Sequence, residues 1–167
     1  MFIIDVTESN EILYFFHRKI IINPSFHNEL SSGYDVALIH VENNIVMDEQ
    51  CFPSFSESMR FNSLDCVIVK RDRGKELTFQ SYPATQIDES QCLFSSMVKP
   101  DLVVCAALKS GDKGIHRKEA GAVFLCRDYD TSTTGGYGLR GISSVGDIRF
   151  KTKPHLFTLV GFYNSWI

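Results

Sequence analysis

The chain has 167 residues, a length that suits one domain or two very small ones. Hydrophobic residues make up 44% and charged residues 22%, a balance that excludes wholesale disorder. Lys and Arg number 17 against 20 Asp and Glu, a formal net charge of -3. That charge excludes a general polyanion binder while leaving room for a local basic patch. No apolar run approaches the roughly 18–20 residues that a membrane-spanning helix needs.

In chain order, the local patterns are mostly those of strands. Phe2–Val6 is a short apolar run. Tyr14–Ile22 is long, β-branched and aromatic, and is broken by Asn23-Pro24. Val36–Val41 is a continuous apolar run, bounded by Gly33-Tyr34-Asp35 and Glu42-Asn43-Asn44. Further strands are predicted at Cys66–Val69, Leu77–Tyr82, Leu102–Leu108, Ala122–Cys126, Tyr137–Ser144 and Leu156–Val160. Short strands separated by Gly, Asn, Ser and Pro clusters are the signature of an all-β sandwich or barrel. Asp88–Phe94 offers an acidic first helical turn, and Phe162–Ile167 suits a terminal turn of helix.

The polar stretch Asp128–Gly136 reads as a hairpin loop, and Lys109–Lys118 as a long, basic, solvated loop. The latter has no interleaved aromatics, so single-stranded nucleic acid is a poor ligand for it. The five cysteines, Cys51, Cys66, Cys92, Cys105 and Cys126, are spread singly and form no zinc spacing. An odd number in a secreted domain implies two bridges and one cysteine left over; in the cytosol they would be inert core residues. Met1 leads directly into Phe-Ile-Ile-Asp-Val, with no secretory leader pattern, so the chain reads as cytosolic or as lacking its true beginning.

A colinear set of motifs from about Arg18 to Ile167 resembles the trypsin/chymotrypsin-like serine proteases. Arg18–Phe26 is similar to the family strand ending in I-x-H-P-x-[FY], and Asp35-Val36-Ala37-Leu38-Ile39-His40-Val41 to D-[IV]-A-L-[IL]-x-[LV]. Cys51-Phe52-Pro53 resembles C-L-P. Cys66–Val69 resembles the C-x-[IVA]-[ST]-G-W-G strand, with Lys70-Arg71-Asp72 in place of Gly-Trp-Gly. Glu119–Cys126 lines up with D-S-G-G-P-L-x-C, and Leu139–Gly146 with L-x-G-I-x-S-W-G. Lys153–Val160 and the closing Trp166-Ile167 match K-P-G-V-Y-T-x-V and W-I.

The resemblance implies an all-β fold of two six-stranded antiparallel barrels with a cleft between them. Residues 1–50 would be the remainder of an incomplete first barrel, and 51–167 the second barrel with a short C-terminal helix. It also implies secretion and the bridges Cys66–Cys126 and Cys92–Cys105, each contributing about 2–4 kcal/mol by restricting the unfolded chain. Cys51 would be unpaired or would tether a disulfide-linked N-terminal chain.

Acyl transfer in this family needs a Ser nucleophile, a His base, an Asp that orients the His, and backbone donors for the oxyanion. The resemblance puts Ala120 at the nucleophile position, a register pinned by Gly121 and by Cys126 six residues on. A methyl group has no lone pair with which to attack. Asp35 stands at the triad Asp position, and Ser144 at that of the serine that hydrogen-bonds it. If buried, Asp35 needs donors or its pKa rises. None of His17, His27, His40, His116 and His155 lies in the family context of the base, and all five read as solvent-facing or satisfied surface groups.

Lys118 replaces the oxyanion glycine, which tolerates positive φ where Lys does not. Glu119 replaces the Asp that pairs with the freed amino terminus, and no I-V-G-G-like start is present. Gly114 falls at the specificity-pocket position, and Val145-Gly146 replaces the W-G wall, so the pocket is remodelled. No metal or cofactor is called for.

These losses imply a non-catalytic serine protease homologue that binds a protein or polypeptide partner or acts as a protease cofactor. The alternatives are a serine endopeptidase represented by a truncated chain, and a decayed, non-functional gene product. An incomplete first barrel leaves open apolar edges near Phe2–Val6 and Tyr14–Ile22, which favour aggregation. Residues 1–167 expressed alone are therefore expected to be poorly soluble or partly unfolded. Sedimentation and thermal melting check this; a monodisperse monomer with one cooperative transition would contradict it.

Overall fold

The computed structural model describes residues 2–5, 12–15, 17–26, 34–42, 61–71, 78–91, 101–109, 120–128, 136–145 and 154–167. Among them the chain is all-β. The strands are β1 (Phe2–Asp5), β2 (Ile12–Phe15), β3 (His17–Ile22), β4 (Ala37–Val41) and β5 (Phe61–Arg71), followed by β6 (Phe79–Ile87), β7 (Val103–Leu108), β8 (Val123–Asp128), β9 (Tyr137–Val145) and β10 (His155–Leu159).

Six of these close into one antiparallel barrel in the order β10-β7-β6-β5-β8-β9. The closure is consistent with a trypsin-like barrel. Upstream lie two separate two-stranded sheets, β1-β2 and β3-β4. The single strand predicted over Tyr14–Ile22 is thus two strands, because its halves take different partners: β2 pairs with β1, and β3 with β4.

Two elements run longer than the sequence pattern suggests. β5 extends on both sides of the predicted Cys66–Val69, and β6 continues through Pro83 to Ile87. A proline inside a strand removes a ladder donor. Here Pro83 sits where the β6–β7 ladder ends: pairing begins at Ala84–Leu108, and the Pro83 carbonyl accepts from Lys109 N at 2.9 Å. Its missing N–H faces the position beyond the last strand pair, so it costs no interior hydrogen bond.

Side chains alternate across each strand, so one set fills the barrel. That set is Cys66, Ile68, Ala84, Val104, Ala106, Ala122, Phe124, Cys126 and Phe157. Phe124 and Phe157 touch with ring centroids 5.1 Å apart. The intervening residues of β7, Val103 and Cys105, join Leu102 and Leu156 in a second cluster that packs against Tyr34 and Ile87. β7 is therefore apolar on both faces, which explains its continuous Val-Val-Cys-Ala-Ala-Leu run.

Cys66 and Cys126 stand directly opposite each other on β5 and β8 and form a disulfide with Cα atoms 4.0 Å apart, the pairing the resemblance implies. Cys105 is also disulfide-bonded. Its expected partner, Cys92, lies outside the described residues, as does Cys51.

On the outer face of β5, β8 and β9, the Asp65 carboxylate accepts from Arg127 Nε at 2.6 Å and from the Tyr137 hydroxyl at 3.1 Å. The hydrogen bond from Arg127 holds its pKa below the usual Asp value. Both charged side chains are well exposed, so this pair adds little stability.

The expected C-terminal helix takes the form of a 3-10 turn over Val160–Tyr163, closed by Trp166 N and Ile167 N donating to the Tyr163 carbonyl. So short a segment cannot repay helix nucleation. The acidic turn at Asp88 is likewise one 3-10 turn, Glu89–Gln91, capped by Asp88 Oδ1 accepting from Ser90 N; residues 92–94 of that prediction lie outside the described residues.

At Gly141 the strands come closest. A Cβ there would lie 2.8 Å from Phe157 Cβ, 3.0 Å from the Thr158 carbonyl oxygen and 3.2 Å from Val104 Cγ1. Gly141→Ala must push β9 off β10 and is expected to destabilise the protein by about 1–3 kcal/mol, as overpacked cores do. Denaturant unfolding measures this; an unchanged midpoint would contradict the contact.

Candidate functional site

The candidate site is built on the β9–β10 pair. Phe157 stands opposite Ser143, and Thr158 opposite Ile142. Two segments are anchored to these neighbouring positions, one carrying Ala120 and the other Asp35.

Ala120 is exposed in the turn that leads into β8. The next residue, Gly121, has φ +91, and its N–H donates to the Ser143 carbonyl at 2.9 Å. No atom lies within 4 Å of a Cβ built on Gly121, so glycine is required there by backbone conformation and not by crowding. Ser143 N donates in turn to the Ala122 carbonyl at 2.8 Å, and Ala122 N donates to Ser143 Oγ at 3.1 Å. Three hydrogen bonds thus clamp the turn to β9.

The buried serine of this clamp is Ser143, which the sequence pattern did not single out. Strand alternation carried the signal: Ser143 shares its parity with Gly141, whose Cα faces the interior residues Val104 and Phe157. Ser144 and Val145 lie in β9, with Val145 opposite Leu156; their side chains fall outside the described residues, so the expected Ser144–Asp35 bond does too.

Asp35 lies just before β4 and is exposed, so the requirement for buried donors to its carboxylate does not arise. Its backbone carbonyl accepts from Thr158 Oγ1 at 3.4 Å. The adjacent Tyr34 packs edge-on against Tyr163, with ring centroids 6.1 Å apart. The structure therefore brings the Asp35 segment and the Ala120 turn to adjoining residues of one strand pair, which sequence separation alone does not reveal. Lys118, Glu119, Gly114 and Gly146, the oxyanion and pocket positions, lie outside the described residues.

Of the histidines, His40 is exposed on β4. His155 is buried on β10, opposite Ala106 of β7, and not at the surface as expected. His155 makes interactions there, and among the described residues no buried side-chain N or O lacks a hydrogen-bond partner. His17 lies on β3; His27 and His116 are outside the described residues. Among the described residues no group of three or more His, Cys, Asp or Glu could hold a metal ion, and no helix is long and apolar enough to cross a membrane.

The closed six-stranded antiparallel barrel is consistent with a trypsin-like barrel. The chain is 25% identical over 164 residues to Ovochymase from Halocynthia roretzi. That match covers 89% of this chain and 10% of the ascidian protein, so the chain spans about a tenth of its relative's length. No protein-family model matches the chain. The distant likeness fits the trypsin-like serine proteases, and with the disulfide it is consistent with an extracellular protein.

Tyr163 is 2% exposed. Burial, and then the neighbouring Tyr34 and Asp35 charges, push its pKa up to about 12 from 10.0. The protonated phenol is the form the fold favours. Its contribution is complete below pH 10 and is lost as pH rises through 10 to about 12. Tyr163→Phe is expected to flatten this alkaline loss of stability, as read by thermal melts at increasing pH. An identical alkaline profile in the variant would count against the assignment.

Proposed function

We propose that this chain is a serine protease homologue without peptidase activity, which binds a protein or polypeptide partner or serves as a cofactor to another protease. The observation that carries the reading is Ala120 beside Gly121 in the turn clamped to Ser143. Covalent acyl transfer at this turn needs an oxygen nucleophile with a base in hydrogen-bond reach. The turn offers a methyl group instead. The likeness to ovochymase supports the family background, and partner binding is what a protease-like surface retains once chemistry is lost; that last step is analogy at the level of fold.

On this reading Asp35 is a triad position with nothing to orient, and Lys118 and Glu119 mark an altered oxyanion and activation region. Gly114, Val145 and Gly146 mark a remodelled pocket. Cys92–Cys105 is the second bridge, and Cys51 is free or linked to another chain.

A fluorophosphonate probe applied to the oxidised protein tests the proposal. No labelling is expected in residues 118–122, and none is expected in Ala120→Ser, which restores a hydroxyl without a base. Labelling of the parent chain there, or specific peptide hydrolysis, overturns the reading in favour of a serine endopeptidase. Labelling of Ala120→Ser alone would show that a base is in place and would overturn the double-loss argument.

A further inference from the structure

We propose that the 3-10 turn after β10 is a latch: Tyr163 closes over Tyr34 and holds the β3–β4 ribbon to the barrel, so that opening this contact releases the ribbon while the barrel stays closed. The latch does not depend on whether the chain has peptidase activity.

Tyr34 sits in an apolar seat on the barrel, packed against the cluster of Leu102, Val103, Cys105 and Leu156. The buried Tyr163 meets the Tyr34 ring edge-on with centroids 6.1 Å apart, and Phe162 meets the Tyr163 ring at 5.2 Å. Edge-to-face aromatic pairs attract beyond the area they bury. The turn that carries Tyr163 is fixed at both ends. Leu159 N donates to the Leu102 carbonyl at 2.9 Å, and Trp166 N and Ile167 N each donate to the Tyr163 carbonyl at 2.9 Å. Beside the turn, Thr158 Oγ1 donates to the Asp35 carbonyl at 3.4 Å.

The anchor passes to the ribbon over few residues. Val36 N donates to the Tyr34 carbonyl at 2.9 Å, a three-residue turn centred on Asp35 that bends the chain between seat and ribbon. The Val36 carbonyl accepts from Asn23 N at 3.2 Å, directly beyond the Ile22–Ala37 pair of β3 and β4. Asn23 is buried, and its Oδ1 accepts from Ser25 N at 2.9 Å. Tyr163, Tyr34, Asp35, Val36 and Asn23 thus form a continuous run of contacts from the end of β10 to the end of β3.

The two sides of this junction differ in what they lose when it opens. The barrel interior, from Cys66 and Ile68 to Phe124 and Phe157, includes neither tyrosine, and its six strands close on one another. A two-stranded ribbon is marginal in water unless it packs on something else. Opening the latch is therefore a local transition, separable from unfolding of the barrel.

Amide hydrogen exchange of the oxidised chain tests this, read at residues 19–22 and 37–41 of the ribbon and at 123–126 of the barrel. Tyr34→Ala is expected to speed ribbon exchange on the order of tenfold and to leave residues 123–126 unchanged. Tyr163→Ala is expected to do the same, and Thr158→Val to act more weakly in the same direction. Tyr163→Phe keeps the ring and should stay close to the parent. Because both rings belong to one contact, Tyr34→Ala/Tyr163→Ala should be no faster than the faster single variant. If Tyr163→Ala unfolds the barrel, Tyr34→Ala and Thr158→Val decide the matter. Unchanged ribbon exchange in Tyr34→Ala, a rise shared equally by ribbon and barrel, or single effects that multiply in the double variant overturns the proposal.

Discussion

The structure depends on how closely β9 and β10 approach. Gly141 allows the two strands to meet where any side chain would collide with Phe157 and the Thr158 carbonyl. That approach closes the barrel and sets Phe157 against Phe124 in its centre. It also sets Ser143 and Thr158 at adjoining positions. Ser143 clamps the turn bearing Ala120, and Thr158 holds the carbonyl of Asp35. One tight strand contact therefore organises both the core and the candidate site. A buried glycine in a strand weakens it locally, and here the packing on three sides offsets that weakness.

The barrel and the upstream segment are unequal in how they satisfy their apolar groups. Six strands in a closed ring leave no edge, and the Cys66–Cys126 bridge ties two adjacent strands over a separation of 60 residues. Among the described residues the β3–β4 ribbon has no such closure, and Ile20, Ile22 and Ile39 are exposed. It is held to the barrel at one end, through Tyr34 against Tyr163 and Asp35 against Thr158. Among the described residues the same chain thus contains a closed barrel and a ribbon with exposed apolar side chains.

Much of the strand order was legible in the residues. Runs such as Leu102–Leu108 and Ala122–Cys126 are legible as strands, and every predicted strand has a counterpart in the structure. Lengths were less legible. β5 and β6 extend into polar residues because long antiparallel pairing continues on the outer face, where polarity costs little. The division of Tyr14–Ile22 was hidden because no turn former interrupts it, and only the exchange of partners separates β2 from β3. The C-terminal segment read as a helix but is too short to be more than a 3-10 turn.

At the candidate site, covalent identity could be read directly: Ala120 carries no side-chain oxygen whatever the fold does, and the Cys66–Cys126 bridge is the one the family resemblance implied. Three-dimensional placement could not be read. Ser143 is the buried clamp because the turn before β8 docks on β9 at that residue, a contact between segments 21 residues apart. His155 is buried on β10, while Asp35 is exposed although it stands just before the apolar strand β4. By itself the sequence determined which chemical groups exist and the periodicity that makes strands, because both are properties of consecutive residues. Only the tertiary structure decided which groups are buried, clamped or left facing water, because barrel closure brings together residues far apart along the chain.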